Sequence, residues 1–268
     1  MESVTVELRY LPQVRWAALR EVRGCDQLLV RSGDTAAAIR LLDSLFVAAP
    51  APALQPGMAA RLTAADRDRL LAAVHRSTFG PRVSGALVCT SCNQGFTLDF
   101  DLAVLEATMP AQVTEQRSEM GGHFVYQLED GRLIRLPTGE DELAVARMAP
   151  DAAISELLRR CVVEGEWSTA PEAVQLALQT CGPLLDMTLD AQCPECGSAN
   201  LFNFNLQHFV LSAIAAEELQ LYEDVHRIAR AYGWALAAIL ELPRSSRRAF
   251  VALIEREGSR MNQRSYAL

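Results

Sequence analysis

The stretch ALVCTSCNQGFTLDF, residues 86–100, sets Cys89 and Cys92 in a Cys-x-x-Cys between two segments of alternating apolar residues. Period-two alternation on both sides of such a pair reads as strand, knuckle, strand. One knuckle is half of a zinc ribbon, because a closed structural site takes four ligands. The other half lies in LDAQCPECGSANLFNFNL, residues 189–206, where Cys193 and Cys196 repeat the spacing after 100 intervening residues. The flanks repeat too. Leu87 and Val88 lead into the first knuckle, and Leu185, Met187 and Leu189 alternate into the second. Phe96, Leu98 and Phe100 leave the first, and Phe202, Phe204 and Leu206 leave the second. Gly95 and Gly197 follow the second cysteine of each pair, where a tight knuckle wants a backbone free to take positive φ.

Cys89, Cys92, Cys193 and Cys196 together supply four thiolates for one Zn²⁺. Four sulfurs fill a tetrahedral shell and leave no place for water or substrate, so the zinc is expected to be structural. A thioredoxin-like dithiol is the competing reading, but it places its cysteines at a helix start, whereas both pairs here sit between strands. Cys25, Cys161 and Cys181 have no ligand companion at useful spacing and read as buried small hydrophobes.

Charge is unevenly spread over the 268 residues. All 25 basic residues are arginine, which with the abundant alanine fits GC-rich codon usage. The net charge is −8, yet residues 101–200 alone hold 6 Arg against 17 acids, a local net of −11. General nucleic-acid binding needs a concentrated positive face, so nucleic acid is an unlikely partner. The opening MESVTVELRY lacks a basic-then-apolar leader, and no apolar run reaches 18 residues, so no membrane partner and a cytoplasmic location are expected.

The pattern predicts an α+β chain: a split zinc ribbon, a mixed α/β insertion between its knuckles and a C-terminal helical array. Residues 1–60 read as an N-terminal arm with a short strand at Val4–Leu8, a helix after Asp34-Thr35 and a proline-rich connector. Residues 61–104 with 184–208 hold the split ribbon and a helix opened by Thr63 and Asp66, with His75 on its surface. Residues 105–183 form the acidic insertion, with a hairpin turn at Asp130-Gly131 and a helix opened by Thr138 and Asp141. Two more helices are expected near 154–160 and 171–180. Residues 209–268 form the helical region. There Val210, Ile214, Leu221, Val225, Ile228 and Tyr232 make one continuous apolar stripe, ended by Gly233.

No phosphate-binding loop, dinucleotide fingerprint, nucleophile elbow or H-E-x-x-H occurs, and His75, His123, His208 and His226 have no partners at catalytic spacing. The chain therefore reads as a non-enzyme. Arg244, Arg247, Arg248, Arg256, Arg260 and Arg264 make the C-terminal end locally basic. That leaves a zinc-ribbon regulator binding nucleic acid as the alternative, and a solvated face or a dock for acidic partners as the plainer reading.

Taken in order, LTAADRDRLL (62–71), FTLDFDL (96–102), RLIRLPTGEDELA (132–144), CPECG (193–197) and DVHRIARAYGWALAAILELPRSSRRAFVALIE (224–255) resemble the T-even-phage-type baseplate protein family. That family occurs in contractile-tailed phages and bacterial contractile injection systems. The resemblance runs from about Leu62 to Glu257. It implies a structural or assembly role with no catalytic residues, so only the four cysteines carry over as site residues. The implied partners are other baseplate, hub, spike or tube proteins. The implied location is an assembling or completed tail-like particle in the cytoplasm.

Overall fold

The computed structural model describes residues 3–108 and 117–265, with side chains over 3–107 and 117–258. The N-terminal part holds β1 (Val4–Glu7), β2 (Trp16–Leu19), α1 (Gly24–Gln27), α2 (Thr35–Leu45) and α3 (Ala64–Phe79). Then follow β3 (Arg82–Val88), β4 (Gly95–Asp101) and α4 (Leu102–Thr108). The intervening unit comprises β5 (Arg117–Met120), β6 (His123–Gln127), β7 (Leu133–Arg135), α5 (Gly139–Val145), α6 (Pro150–Cys161), β8 (Val162–Glu164) and α7 (Pro171–Cys181). The chain closes with β9 (Asp186–Gln192), β10 (Ala199–Asn205), α8 (Leu206–Ala216), α9 (Glu218–Tyr232), α10 (Leu236–Leu240) and α11 (Arg244–Ser265). It is a mixed α and β protein in which every pairing between these strands is antiparallel. No helix of the described residues is long and apolar enough to cross a membrane.

The capping residues start helices where the sequence puts them. Asp34 accepts from the Ala37 N–H at 2.8 Å, and the Thr63 hydroxyl accepts from the Asp66 N–H at 3.3 Å. Thr138 and Asp141 form a reciprocal capping box, and Asp141 also takes two bonds from Arg135. Gly131 (φ 88°) turns the β6–β7 hairpin, and Gly233 (φ 69°) ends α9 in the left-handed region that favours glycine.

Three expectations need correction. The first sixty residues are no separate arm: Ala38, Leu41, Leu42 and Leu45 of α2 are wholly buried in the largest core cluster, with Leu70 and Leu71 of α3 and Val210, Leu211 and Ile214 of α8. The apolar stripe after residue 209 is not one helix. It breaks at Glu217, so Val210 and Ile214 pack in the main core while Ile228 packs with Ile239 and Val251 in a smaller one. His75 is not on a helix surface. Its ring is 2% exposed and lies 5.5 Å from both Phe79 and Phe209, so a residue polar by type serves as an aromatic core filler.

Helix α3 ties distant segments together through two buried carboxylates. Asp66 accepts from the N–H groups of Arg9 (2.8 Å) and Tyr10 (2.9 Å) instead of returning to its own cap. Asp68 accepts from the Leu185 N–H at 2.9 Å, just ahead of β9. Burial pushes each carboxyl up to about 6, against the pull of those N–H donors. A raised carboxyl means that the folded chain holds a proton the unfolded chain has lost. Stability from this source therefore falls as pH rises from about 4 to about 6. Asp68→Asn keeps an acceptor for Leu185 but cannot ionise. Urea unfolding should find Asp68→Asn more favourable relative to wild type at pH 7.5 than at pH 5, by about 1 kcal/mol. An unchanged difference between the two pH values would show that the burial of this charge is not what sets its cost.

Candidate metal centre

Hairpins β3–β4 and β9–β10 are built alike. Each has two seven-residue strands in unbroken antiparallel register, from Arg82↔Asp101 to Val88↔Gly95 and from Asp186↔Asn205 to Gln192↔Ala199. The strands of the second lie 104 positions after those of the first, and a helix follows each at once. The knuckles close with the same bonds. Cys89 N–H donates to the Gln94 carbonyl and Asn93 N–H to the Cys89 carbonyl, as Cys193 N–H does to Ser198 and Gly197 N–H to Cys193. The positive-φ position is the fourth after the first cysteine, Gly197 (φ 72°) in one knuckle and Asn93 (φ 59°) in the other. Gly95, expected in that role, instead begins β4. Asparagine tolerates the left-handed region, which is why the first knuckle closes without glycine.

The four predicted ligands meet. Their sulfurs all lie within 4.8 Å of one another, and no disulfide joins any of them. Cys89 Sγ is 3.6 Å from Cys196 Sγ, and Cys92 Sγ is 3.7 Å from Cys193 Sγ. The exchange that carries Cys89 onto Cys193 carries Cys92 onto Cys196, so these two distances are counterparts. Phe100 meets its own counterpart Phe204 edge-on at 5.2 Å between ring centres. The hairpins thus face one another about an approximate twofold axis. A tetrahedron of sulfurs around a cation with bonds of about 2.3 Å has edges of about 3.8 Å, so the site fits a thiolate-bound metal ion. Among the described residues no other group of Cys, His, Asp and Glu is arranged to hold one. Cys161 is wholly buried and its thiol is pushed up to about 12, chiefly by burial.

Hydrogen bonds prepare the sulfurs for a cation. The Cys92 and Ser91 N–H groups pull the Cys89 thiol down to about 6. The Ser198 hydroxyl and N–H pull Cys196 below the usual thiol range. At Cys92 the Gln94 N–H also favours the thiolate, but desolvation and the neighbouring sulfurs outweigh it and push that thiol up to about 12. Four crowded sulfurs cannot all ionise alone; a cation among them removes the conflict.

Asn200 is the functional residue that sequence reading missed. It is buried beside the sulfurs, and its Oδ1 accepts from both the Thr90 N–H (2.9 Å) and the Thr90 hydroxyl (3.0 Å) across the gap between hairpins. Its Nδ2 donates to the Ser198 carbonyl at 2.9 Å and reaches Cys89 Sγ at 3.6 Å. No signal marks it, since its counterpart in the first hairpin is the ordinary strand residue Phe96.

Three arginines of the basic C-terminal end are engaged within the chain. Arg244 makes two 2.6 Å bonds to Glu217 and donates to the Thr78 carbonyl. Arg247 is 1% exposed and donates to Leu242 O and to Gln27. Arg248 lies 3.5 Å from Glu217 and 3.9 Å from Asp224. The side chains of Arg260 and Arg264 lie outside those described. Comparison of the chain with protein-family models, curated proteins and solved structures finds no match to any of them.

Orienting partners of metal ligands typically matter about 10-fold or more in metal affinity. Asn200→Ala should therefore speed transfer of the bound metal to a chromogenic chelator about 10-fold. Thr188→Ala, which removes only a bond to Asn203 within one hairpin, should leave it unchanged. Equal transfer rates for wild type and Asn200→Ala would remove the role assigned to this amide.

Proposed function

We propose that this chain is a non-enzymatic docking component of a contractile-tail or injection-system baseplate, held in shape by a split zinc ribbon with one structural Zn²⁺. The observation that carries the reading is the meeting of two knuckles 100 residues apart in sequence as a compact four-sulfur site. A closed set of soft thiolates suits zinc and leaves no open position for chemistry. When bound, the zinc supplies a cross-link between the hairpins. The chain's own residues do the rest: Asn93 and Gly197 shape the knuckles, Asn200 clasps Thr90, and Phe100 and Phe204 seat the hairpins on the core. The baseplate assignment rests on the order of the motifs from Leu62 to Glu257.

The nucleic-acid alternative draws no support from Arg244, Arg247 and Arg248, which are engaged within the chain. A protein using them on phosphate would also have to break those pairs.

The purified chain should carry about one zinc per molecule. Stripping it should lower the thermal midpoint by roughly 10 °C, the scale expected when several kcal/mol of ligand-linked stability is lost from a chain of this size. Deleting the gene in its host should abolish assembled tail-like particles in electron micrographs. A wild-type copy should restore them, and a Cys89→Ser/Cys193→Ser copy should not. Normal particles from the deletion strain would end the baseplate reading. A metal-free wild-type protein with an unchanged midpoint would end the zinc reading.

A further inference from the structure

An open groove of about 850 Å³ runs between the start of α3, the β7–α5 connection, α6, α7 and the segment leading to β9. Its walls are mostly apolar, with Leu136, Leu157, Leu158, Leu178 and Pro183 among them. Two more lining residues, Ile154 and Leu184, are 50% and 40% exposed, so apolar surface stands open to water there. Asp186 is the sole ionisable residue of the lining.

Unpaired acids flank the groove on two of its helices. Asp151 lies three residues before Ile154 on α6, and Glu172 three before Gln175 on α7, so each extends a face that lines the groove by one helical turn. Both are exposed, and no ion pair reaches either of them or Asp186 among the described residues. Elsewhere in this unit acids do find arginines: Asp130 with Arg132, Asp141 with Arg135, and Glu156 with Arg159 and Arg160. A first-turn acid also favours its own helix dipole, so neither carboxylate alone would mark a site. The apolar groove between them does.

From this we infer that the groove docks a basic amphipathic helix of a partner protein, whose apolar face fills it while Arg or Lys side chains flank it toward Asp151, Glu172 and Asp186. A helix satisfies its own main-chain groups, so it enters an apolar groove that offers few hydrogen-bond partners. An extended strand would need a free sheet edge along the groove; β7 pairs on both sides, and β9 reaches the lining only with its first residue, Asp186. A small-molecule site would offer converging buried polar groups, which this lining lacks. The inference deepens the docking reading above by naming one face and the chemistry of its partner, and it does not depend on the particle being a contractile tail.

The test is fluorescence anisotropy on the purified full chain with three labelled 18-residue peptides. One places Leu along a single helical face with Arg on the others, one replaces Arg with Glu, and one scrambles the Leu/Arg peptide. The Leu/Arg helix should bind best, and less tightly as salt rises. Ile154→Gln/Leu184→Gln, at exposed positions that should not disturb folding, should weaken it about 10-fold. Asp151→Asn/Glu172→Gln/Asp186→Asn should weaken it and flatten its salt dependence. Equal binding of the scrambled or acidic peptide, no binding of the Leu/Arg helix, or indifference to the Ile154/Leu184 change would overturn the proposal. So would self-association of the chain abolished by that change, which would make a second copy the occupant. Displacement of the peptide by a stoichiometric fatty acid would make the occupant a small apolar ligand. Because binding is read on the isolated chain, it succeeds or fails separately from the particle-assembly and zinc experiments.

Discussion

Four sulfurs crowded within 4.8 Å repel one another once ionised, and a cation among them turns that repulsion into a bond between the two hairpins. The hairpins bring little other contact of their own to this meeting. They touch through Phe100 on Phe204 and through Thr90 on Asn200, and inner residues of both join the main core. Closing a loop of some hundred residues costs chain entropy that grows only slowly with loop length, so a few strong bonds offset it. The intervening unit is thereby held at both ends, with β4 leading into it and β9 leading out.

Helix α3 is the other point on which distant segments converge. Asp66 holds the chain after β1, and Asp68 holds the approach to β9. Between them Arg67 reaches Glu142 of α5 and Gln207 of α8, while Glu142 also accepts from the Thr35 hydroxyl. Three consecutive positions of one helix turn thus touch the N-terminal hairpin, the intervening unit and the second knuckle's hairpin. Buried polar groups of this kind add little net stability, but a wrong arrangement would leave them unpaired, so they select one packing. The metal site joins the knuckles; the α3 network fixes what lies behind them.

Much of this was legible in the sequence because local chemistry dictated it. The matching Cys-x-x-Cys flanks located the four cysteines that cluster, and Asp34, Thr63, Thr138 and Gly233 mark helix ends where they stand. What was not legible depends on distance in space. Asn200 works only because Thr90 lies across from it, and nothing along the chain joins residues 110 positions apart. His75 fills an aromatic core because Phe209 packs against it from another helix. The break at Glu217 is silent in the periodicity, since a spacing of seven fits one helix or two. The N-terminal sixty residues looked peripheral because proline breaks their pattern, yet burial of Leu42 and Leu54 makes them part of the core.

Charge offers the clearest case of composition misleading about surface. Between residues 243 and 258 the chain carries four arginines, but a buried Arg247 and the Glu217 pairs of Arg244 and Arg248 engage three of them within the chain. In the intervening unit the reverse holds. There Asp130, Asp141 and Glu156 take local arginines and Glu142 takes Arg67 of α3, while no ion pair reaches Asp151 or Glu172 among the described residues. An unpaired acid at the surface is merely solvated; unpaired acids beside an open apolar groove create a field over surface that water covers poorly. The engagement of Arg244, Arg247 and Arg248, set against the unpaired Asp151 and Glu172, is why the groove face is the one proposed to dock another protein.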